Sequence, residues 1–95
     1  MTDYEVMFIV KPDLDEETTT AVVDKLQRVL TERGATIVNV DRWGRRRLAY
    51  EVAGFNDGQY VVMNFQSQPE AAKELERVMK ISDEVIRYLL IRKDD

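Results

Sequence analysis

The fold is decided by residues 36–66, which read TIVNVDRWGRRRLAYEVAGFNDGQYVVMNFQ. The run 36–52 is longer than an average strand, Gly44 interrupts it, and its apolar positions change parity across that glycine. A long strand with a bulge or bend near Gly44 explains both facts. A turn is predicted at 56–58, Asn-Asp-Gly, because Asn and Gly tolerate positive φ. A second strand is then predicted over 59–66.

The segment that precedes these two predicted strands predicts a further strand followed by a helix. Residues 4–10 alternate as a strand does, and Pro12 ends the run. A helix is predicted over 15–33, because apolar residues recur there at helical spacing. Asp15, or Asp13 before it, supplies an N-cap, and Gly34 is placed to end the helix in the left-handed conformation.

The segment that follows the pair predicts a helix and then a strand. The helix begins near Pro69, with Ser67 or Gln68 as its cap, and the last strand covers 85–91. The order β-α-β-β-α-β is that of the split βαβ, or ferredoxin-like, fold of the α+β class. It predicts one domain over 1–95, with a four-stranded antiparallel sheet and both helices on one face. The core stripe of the second helix is Ala71, Ala72, Leu75, Val78 and Met79.

Composition excludes several classes of function. The chain has 95 residues, with 14 Lys and Arg against 18 Asp and Glu, a net charge of −4, and neither Cys nor His. Disulfides, thiolate catalysis and cysteine metal sites are therefore excluded, and the usual general base near pH 7 is missing. The acidic residues over 13–17 are explained by helix capping and the helix dipole, so we expect no metal or cofactor. Without a signal peptide or a membrane-length apolar run, we expect a soluble cytoplasmic protein.

The sheet face opposite the helices is predicted to be uncovered. It would carry Met7, Ile9, Tyr60, Val62 and one set of side chains from the last strand. Single exposed apolar residues are ordinary on protein surfaces. A group of this size favours a binding partner on that face, which is the interpretation we prefer.

Two basic groups have alternative interpretations. Four arginines lie within residues 42–47, around Trp43, and they suit contact with an RNA backbone. They equally suit a solvated strand that pairs with the many acids of the same chain, and charge alone does not separate the two. Arg87, Arg92 and Lys93 form the second group, on and after the last strand. The fold's strand order 4-1-3-2 places the two groups at opposite edges, where basic residues also suppress edge-to-edge aggregation.

Tyr60 and Tyr88 could stack on bases if the open face bound RNA. The stretch typical of RNA-recognition motifs, Lys/Arg-Gly-Phe/Tyr-Gly/Ala-Phe-Val, is absent from the chain. These tyrosines are therefore interpreted as packing or protein-contact residues.

Residues 44–52, GRRRLAYEV, resemble the signature segment of the family of the bacterial small-subunit ribosomal protein numbered six. The family pattern is Gly, any residue, a basic residue, a polar or basic residue, Leu, Ala or Ser, Tyr, any residue, and an aliphatic residue. The chain satisfies each step. The resemblance continues at 4–7, 12–15, 58–60 and 85–88, and it implies the same ferredoxin-like fold.

The resemblance implies a structural component of the ribosome, and not an enzyme. It implies binding to the central domain of 16S ribosomal RNA jointly with the small, basic ribosomal protein numbered eighteen. A chain with an isoelectric point near 4.9 should bind RNA weakly alone, and a basic partner would supply the missing charge. Outside the ribosome we expect a monomer. The chain stops at Asp95 without a long acidic tail, so functions that some relatives place on such a tail are not expected.

The candidate residues divide between two surfaces, although the signature itself does not say which residues contact RNA. The RNA-binding candidates are Tyr4, Arg45, Arg87, Arg92 and Lys93. The partner-binding candidates are Trp43, Arg46, Arg47, Tyr50, Tyr60 and Val62. We also expect the bend near Gly44 to move on binding, because clustered arginines repel one another when no RNA is present.

Two other functions are compatible with the same fold. One is a domain that binds single-stranded nucleic acid alone, through the open sheet, which the acidic isoelectric point disfavours. The other is a dimeric regulatory domain or a small enzyme, paired through the uncovered face.

Overall fold

A computed structural model describes residues 1–93 and gives the predicted order of elements. The elements are β1 (Thr2–Val10), α1 (Glu16–Thr31), β2 (Thr36–Val52), β3 (Phe55–Ser67), α2 (Pro69–Ile81) and β4 (Val85–Arg92). The strands form one antiparallel sheet in the order β2-β3-β1-β4. The ferredoxin-like fold and its strand order are therefore confirmed, with β2 and β4 at opposite edges.

The core lies between the two helices and one face of the sheet. Alternate residues of β1, namely Val6, Phe8 and Val10, are fully buried, as the strand periodicity predicts. The helices cover them with two apolar stripes at helical spacing. The buried residues of these stripes are Val22, Val23, Leu26 and Leu30 in α1, and Ala71, Ala72, Leu75, Val78 and Met79 in α2.

The ends of α1 follow from its capping residues. Asp15 is the N-cap, and its Oδ1 accepts a hydrogen bond from the backbone N–H of Thr18 at 2.8 Å. This bond lowers the pKa of Asp15, because it favours the ionised carboxylate. The helix ends at Thr31, two residues before the predicted end, and Gly34 follows with a φ of 81°.

The turn between β2 and β3 was predicted in the wrong place. Ala53 and Gly54 form it, with φ of 53° and 84°, between the paired residues Val52 and Phe55. Residues 56–58 are instead extended within β3. Gly58 is needed for another reason: a Cβ there would lie 2.3 Å from Cγ2 of Ile9 on the neighbouring strand. Because Gly58 has no side chain, β1 and β3 can pack closely there. Gly58 therefore belongs to a strand and not to a turn.

Strand β2 is long and irregular, as predicted. It has 17 residues, and its pairing with β3 shifts register at three places. One shift lies between Arg42 and Gly44, and Gly44 has a φ of 81°. The predicted bulge near Gly44 is therefore confirmed, and it changes which side chains of β2 face the helices.

Candidate nucleic-acid and protein interface

The sheet face opposite the helices carries exposed apolar side chains. Cross-strand partners share a face, and Met7 of β1 is paired with Val62 of β3 and Leu89 of β4. Leu89 is 53% exposed and Ile91, on the same face, is 43% exposed. Within residues 1–93 neither helix covers this face. We call it the open face.

The bulge at Gly44 presents an aromatic stack on the open face. The ring of Trp43 lies parallel to the ring of Tyr60, with centroids 6.1 Å apart and an interplanar angle of 6°. The guanidinium carbon of Arg46 lies 5.7 Å from the Trp43 ring centroid. Nε1 of Trp43 donates to Oδ2 of Asp41 at 3.1 Å, which orients the indole. The stack therefore joins a cation to a broad apolar surface.

The four arginines of β2 have different surroundings. Arg42 reaches α1, where its Nη2 lies 3.1 Å from Oε1 of Glu16. Arg45 donates from Nε to Oδ2 of Asp57 at 2.7 Å, and this bond raises the pKa of Arg45. Within residues 1–93 the side chain of Arg47 has no hydrogen bond or ion pair. Arg45, Arg46 and Arg47 line one open cleft at the end of the hairpin, together with Pro12, Asp13 and residues 54–57. Three of the four arginines of β2 thus lie together, and Arg42 lies apart from them.

The base of the hairpin is fastened to α1 by a part-buried side chain. Nε2 of Gln59 donates to the backbone oxygen of Lys11 at 2.9 Å and to Oγ1 of Thr19 at 3.0 Å. Thr19 is fully buried and donates in turn to the backbone oxygen of Asp15 at 2.8 Å. This network fixes the β3 side of the hairpin where it leaves the rest of the sheet, so the residues beyond it are held at a defined angle.

The end of the hairpin folds back over the open face. Strands β2 and β3 stay paired as far as Val52 and Phe55, whereas β1 pairs with β3 only as far as Val10 and Gln59. Leu48 of β2 is only 8% exposed. It lines a cleft with Met7, Ile9, Ala49, Tyr50, Val52, Tyr60 and Arg87. All four strands contribute to this cleft, although β2 and β4 are not neighbours in the sheet.

One contact across the sheet was missed by sequence reasoning. Nη1 of Arg87 donates to the hydroxyl of Tyr50, and the guanidinium carbon lies 5.5 Å from the Tyr50 ring centroid. The strand order alone did not predict a contact between β2 and β4, because it takes no account of the extra length of β2. The signal was present in the apolar parity of Leu48, Tyr50 and Val52 after the bulge.

The basic residues of β4 point to both sides of the sheet. Arg92 is paired with Tyr4, whose side chain faces the core, whereas Arg87 is paired with Ile9 on the open face. Lys93 lies beside β3, with Nζ 3.4 Å from Oδ1 of Asn64. These three cations therefore follow the β4 edge and do not form one patch.

Two candidates have little side chain at the surface. Tyr4 is 7% exposed, and its ring stacks on Phe65 in the core with centroids 5.3 Å apart. The ring of Tyr4 therefore packs in the core, and its selection as an RNA-binding residue stays a prediction. Val62 is 9% exposed because neighbouring side chains of the open face cover it. It belongs to the floor of that face and offers a partner little surface of its own.

Neither a metal centre nor a membrane helix is found in the described part of the chain. Among residues 1–93 no group of three or more His, Cys, Asp or Glu side chains is arranged to hold a metal ion. In the same range no helix is long and apolar enough to span a membrane. The site is therefore described by cations, aromatic rings and apolar surface.

Comparison with known proteins gives one consistent family. A sequence model of the family described as ribosomal protein S6 matches residues 3–92. The small ribosomal subunit protein bS6 of Moorella thermoacetica is 50% identical over 95 residues, which are 100% of this chain and 97% of that protein. The protein of the same name from Desulfitobacterium hafniense is also 50% identical over 95 residues, 100% of both chains.

A solved structure agrees with these relatives. The crystal structure of 30S ribosomal protein S6 from Thermotoga maritima matches with a TM-score of 0.92 and 34% identity. The match covers 97% of this chain and 87% of that one. The fold, the arginine-bearing hairpin and the relatives define a ribosomal protein of the small subunit. Within that class, the chain belongs to the ribosomal protein S6 family, as its signature segment implied.

Proposed function

We propose that the chain is a structural component of the small ribosomal subunit that binds the central domain of 16S ribosomal RNA together with the basic ribosomal protein numbered eighteen. The observation that carries this proposal is the open face, where exposed apolar residues lie beside the stack of Tyr60, Trp43 and Arg46. A surface that is both apolar and cationic suits a partner at an RNA–protein junction. We also propose that the chain is a cytoplasmic monomer outside the ribosome and that it has neither enzymatic activity nor a cofactor.

The charge of the chain supports joint binding. A net charge of −4 opposes approach to a polyanion, so the chain alone should hold RNA weakly. A basic partner would bring positive charge that offsets the net charge of −4 and would add its own phosphate contacts. Each ligand would then raise the affinity of the other by the same factor, which is positive cooperativity.

The candidate residues divide by position. The partner surface comprises Trp43, Arg46, Arg47, Tyr50, Tyr60 and, beneath them, Val62. The proposed RNA-binding cations are Arg45 at the end of the hairpin and Arg87, Arg92 and Lys93 along the β4 edge. Tyr4 is kept as a candidate beside this edge, although its ring belongs to the core.

The test is a titration of labelled 16S central-domain RNA with the chain, alone and with the basic partner, at two salt concentrations. We expect weak binding alone and tight, salt-dependent binding of the two proteins together. Equal binding with and without the partner would instead favour an autonomous RNA-binding domain. No binding in either case, with elution of the chain as a dimer, would favour a regulatory dimer.

Three variants test which candidate residues bind RNA and which bind the partner. Arg92→Ala should lower the salt slope of RNA binding by about one, the effect of one lost phosphate contact. Arg46→Ala should weaken binding only when the partner is present. Arg77→Ala is the matched control, because its guanidinium lies on α2 and pairs with Glu74 at 2.6 Å. An equal loss in all three variants would contradict the division into two surfaces.

A further inference from the structure

The contact between Tyr50 and Arg87 joins strands that are not neighbours in the sheet. Tyr50 lies near the end of β2, and Arg87 lies on β4 at the opposite edge. The guanidinium donates to the tyrosine hydroxyl and lies over the tyrosine ring. Both side chains are exposed, Tyr50 by 61%. The contact therefore spans the open face on its solvent side, where a ligand can reach it.

The surroundings of Arg87 differ from those of the arginines that form ion pairs. Arg42 pairs with Glu16, Arg45 with Asp57, and Arg77 with Glu74. Within residues 1–93, Arg87 has no carboxylate partner and contacts a neutral phenol. That hydroxyl raises the pKa of Arg87, and the guanidinium, like that of any arginine, is charged. A phosphate offers a guanidinium two charge-assisted bonds, which are stronger than one bond to a neutral oxygen. A phosphate that reaches Arg87 would therefore displace Tyr50.

Tyr50 belongs to the part of the hairpin that covers the apolar floor of the open face. Leu48, two residues before it, is nearly buried over a cleft lined by Met7 and Ile9. The part of β2 that contains Leu48 and Tyr50 is connected to the rest of the strand through the bulge at Gly44. The φ of 81° at Gly44 marks a break in the regular strand. Because Gln59 fastens only the base of the hairpin, the contact with Arg87 is what ties its end to the far edge.

We propose that the Tyr50–Arg87 contact is a latch that couples RNA binding to partner binding within this chain. The inference rests on the proposed function. When a phosphate of the RNA takes Arg87, Tyr50 is released, the end of the hairpin lifts, and the floor of the open face becomes available to the basic partner. By linkage, a partner that lifts the hairpin end frees Arg87 for a phosphate, so each ligand favours the other.

The first experiment measures the coupling with Tyr50→Phe, which keeps the ring and removes the hydrogen-bond acceptor. The affinity of the chain alone for central-domain RNA should rise by about two- to tenfold, the range set by the net strength of one hydrogen bond. The enhancement of RNA affinity by the partner should fall by the same factor. Tyr88→Phe is the matched control, because that hydroxyl lies on the helix side, 3.5 Å from Oε2 of Glu76. Identical affinities and enhancement in wild type and Tyr50→Phe would overturn the latch.

The second experiment examines the free chain and needs neither RNA nor partner. Amide hydrogen exchange over 46–55 should be faster in Tyr50→Phe than in wild type, while Tyr88→Phe leaves it unchanged. Unchanged exchange in Tyr50→Phe would overturn the latch. If wild type binds no RNA with or without the partner, the proposed function fails and the coupling with it. If wild type binds RNA cooperatively with the partner and Tyr50→Phe behaves as wild type does, only the latch is overturned and the proposed function stands.

Discussion

The two faces of the sheet belong to the same strands but contribute differently to the stability of the fold. On the covered face, Val6, Phe8 and Val10 are fully buried under two helices. On the open face, Leu89 and Ile91 are exposed, and the hairpin is held by Leu48 together with contacts between polar or aromatic side chains at the surface. Burial of apolar area stabilises by about 25 cal/mol per Å², whereas single exposed contacts contribute about 1 kcal/mol or less. The comparison separates a face that stabilises the fold from a face available for binding.

The largest effect should come from the covered face. Phe65→Ala removes a ring that is 1% exposed and stacked on Tyr4, so the free energy of unfolding should fall by about 3–5 kcal/mol. Urea denaturation followed by circular dichroism measures it. A loss below about 1 kcal/mol would show that the two faces do not differ as described.

A smaller loss is expected where the strands pack most closely. Gly58→Ala places a methyl group 2.3 Å from Cγ2 of Ile9 and 3.4 Å from the backbone oxygen of Val10. Ile9 must move, and overpacking of this kind costs about 1–3 kcal/mol. Asn56→Ala, in the same strand but exposed, is the control and should change the unfolding free energy by less than about 0.5 kcal/mol. Equal stability of Gly58→Ala and wild type would contradict the close approach of β1 and β3 at residue 58.

The free energy of unfolding should depend on pH through Asp15, at the start of α1 on the covered side. The pKa of Asp15 is lower in the folded chain than in the unfolded chain, where it is about 4. Its contribution to stability is therefore complete above the unfolded pKa and is lost as the pH falls through the lower folded pKa. Asp15→Asn still caps the helix but does not titrate, so its stability should fall less than that of wild type between pH 5 and pH 2. Asp13→Asn is the control for removal of one acidic charge, and identical profiles for wild type and Asp15→Asn would contradict the cap assignment.

The smallest effect on stability is expected on the open face. Leu89→Ala removes an apolar side chain that is 53% exposed and should change the unfolding free energy by less than about 0.5 kcal/mol. The same variant should weaken capture of the basic partner, which pull-down with the purified partner measures. A large loss of stability with unchanged capture would reverse the roles of the two faces.

The sequence predicted those features that depend on local chemistry and periodicity. The alternation of β1, the Asp15 cap and the bulge at Gly44 are each encoded within a few residues, and the structure contains them. The turn was misplaced because Ala53 carries no signal for positive φ, whereas Gly58 carries a misleading one.

The arrangement of the candidate site could be predicted only in part. Trp43, Arg46 and Tyr60 were selected for the same surface, and they stack there. The partners of Arg42, Arg45 and Arg87 depend on how a long hairpin bends over the sheet, and no local pattern records that bend. Strand parity places Tyr4 on the core face, so its ring is buried, and its contact with RNA stays a prediction.

The position of the single tryptophan has a spectroscopic consequence. Trp43 lies at the bulge of the open face, between Tyr60 and Arg46, and the packed core contains no indole. Tryptophan fluorescence therefore observes the hairpin, whereas far-ultraviolet circular dichroism observes the helices. Coincident denaturation curves from the two probes would mean that hairpin and core unfold as one cooperative unit. An earlier fluorescence transition would identify the hairpin as a separate unit of lower stability, ready to rearrange while the core remains folded.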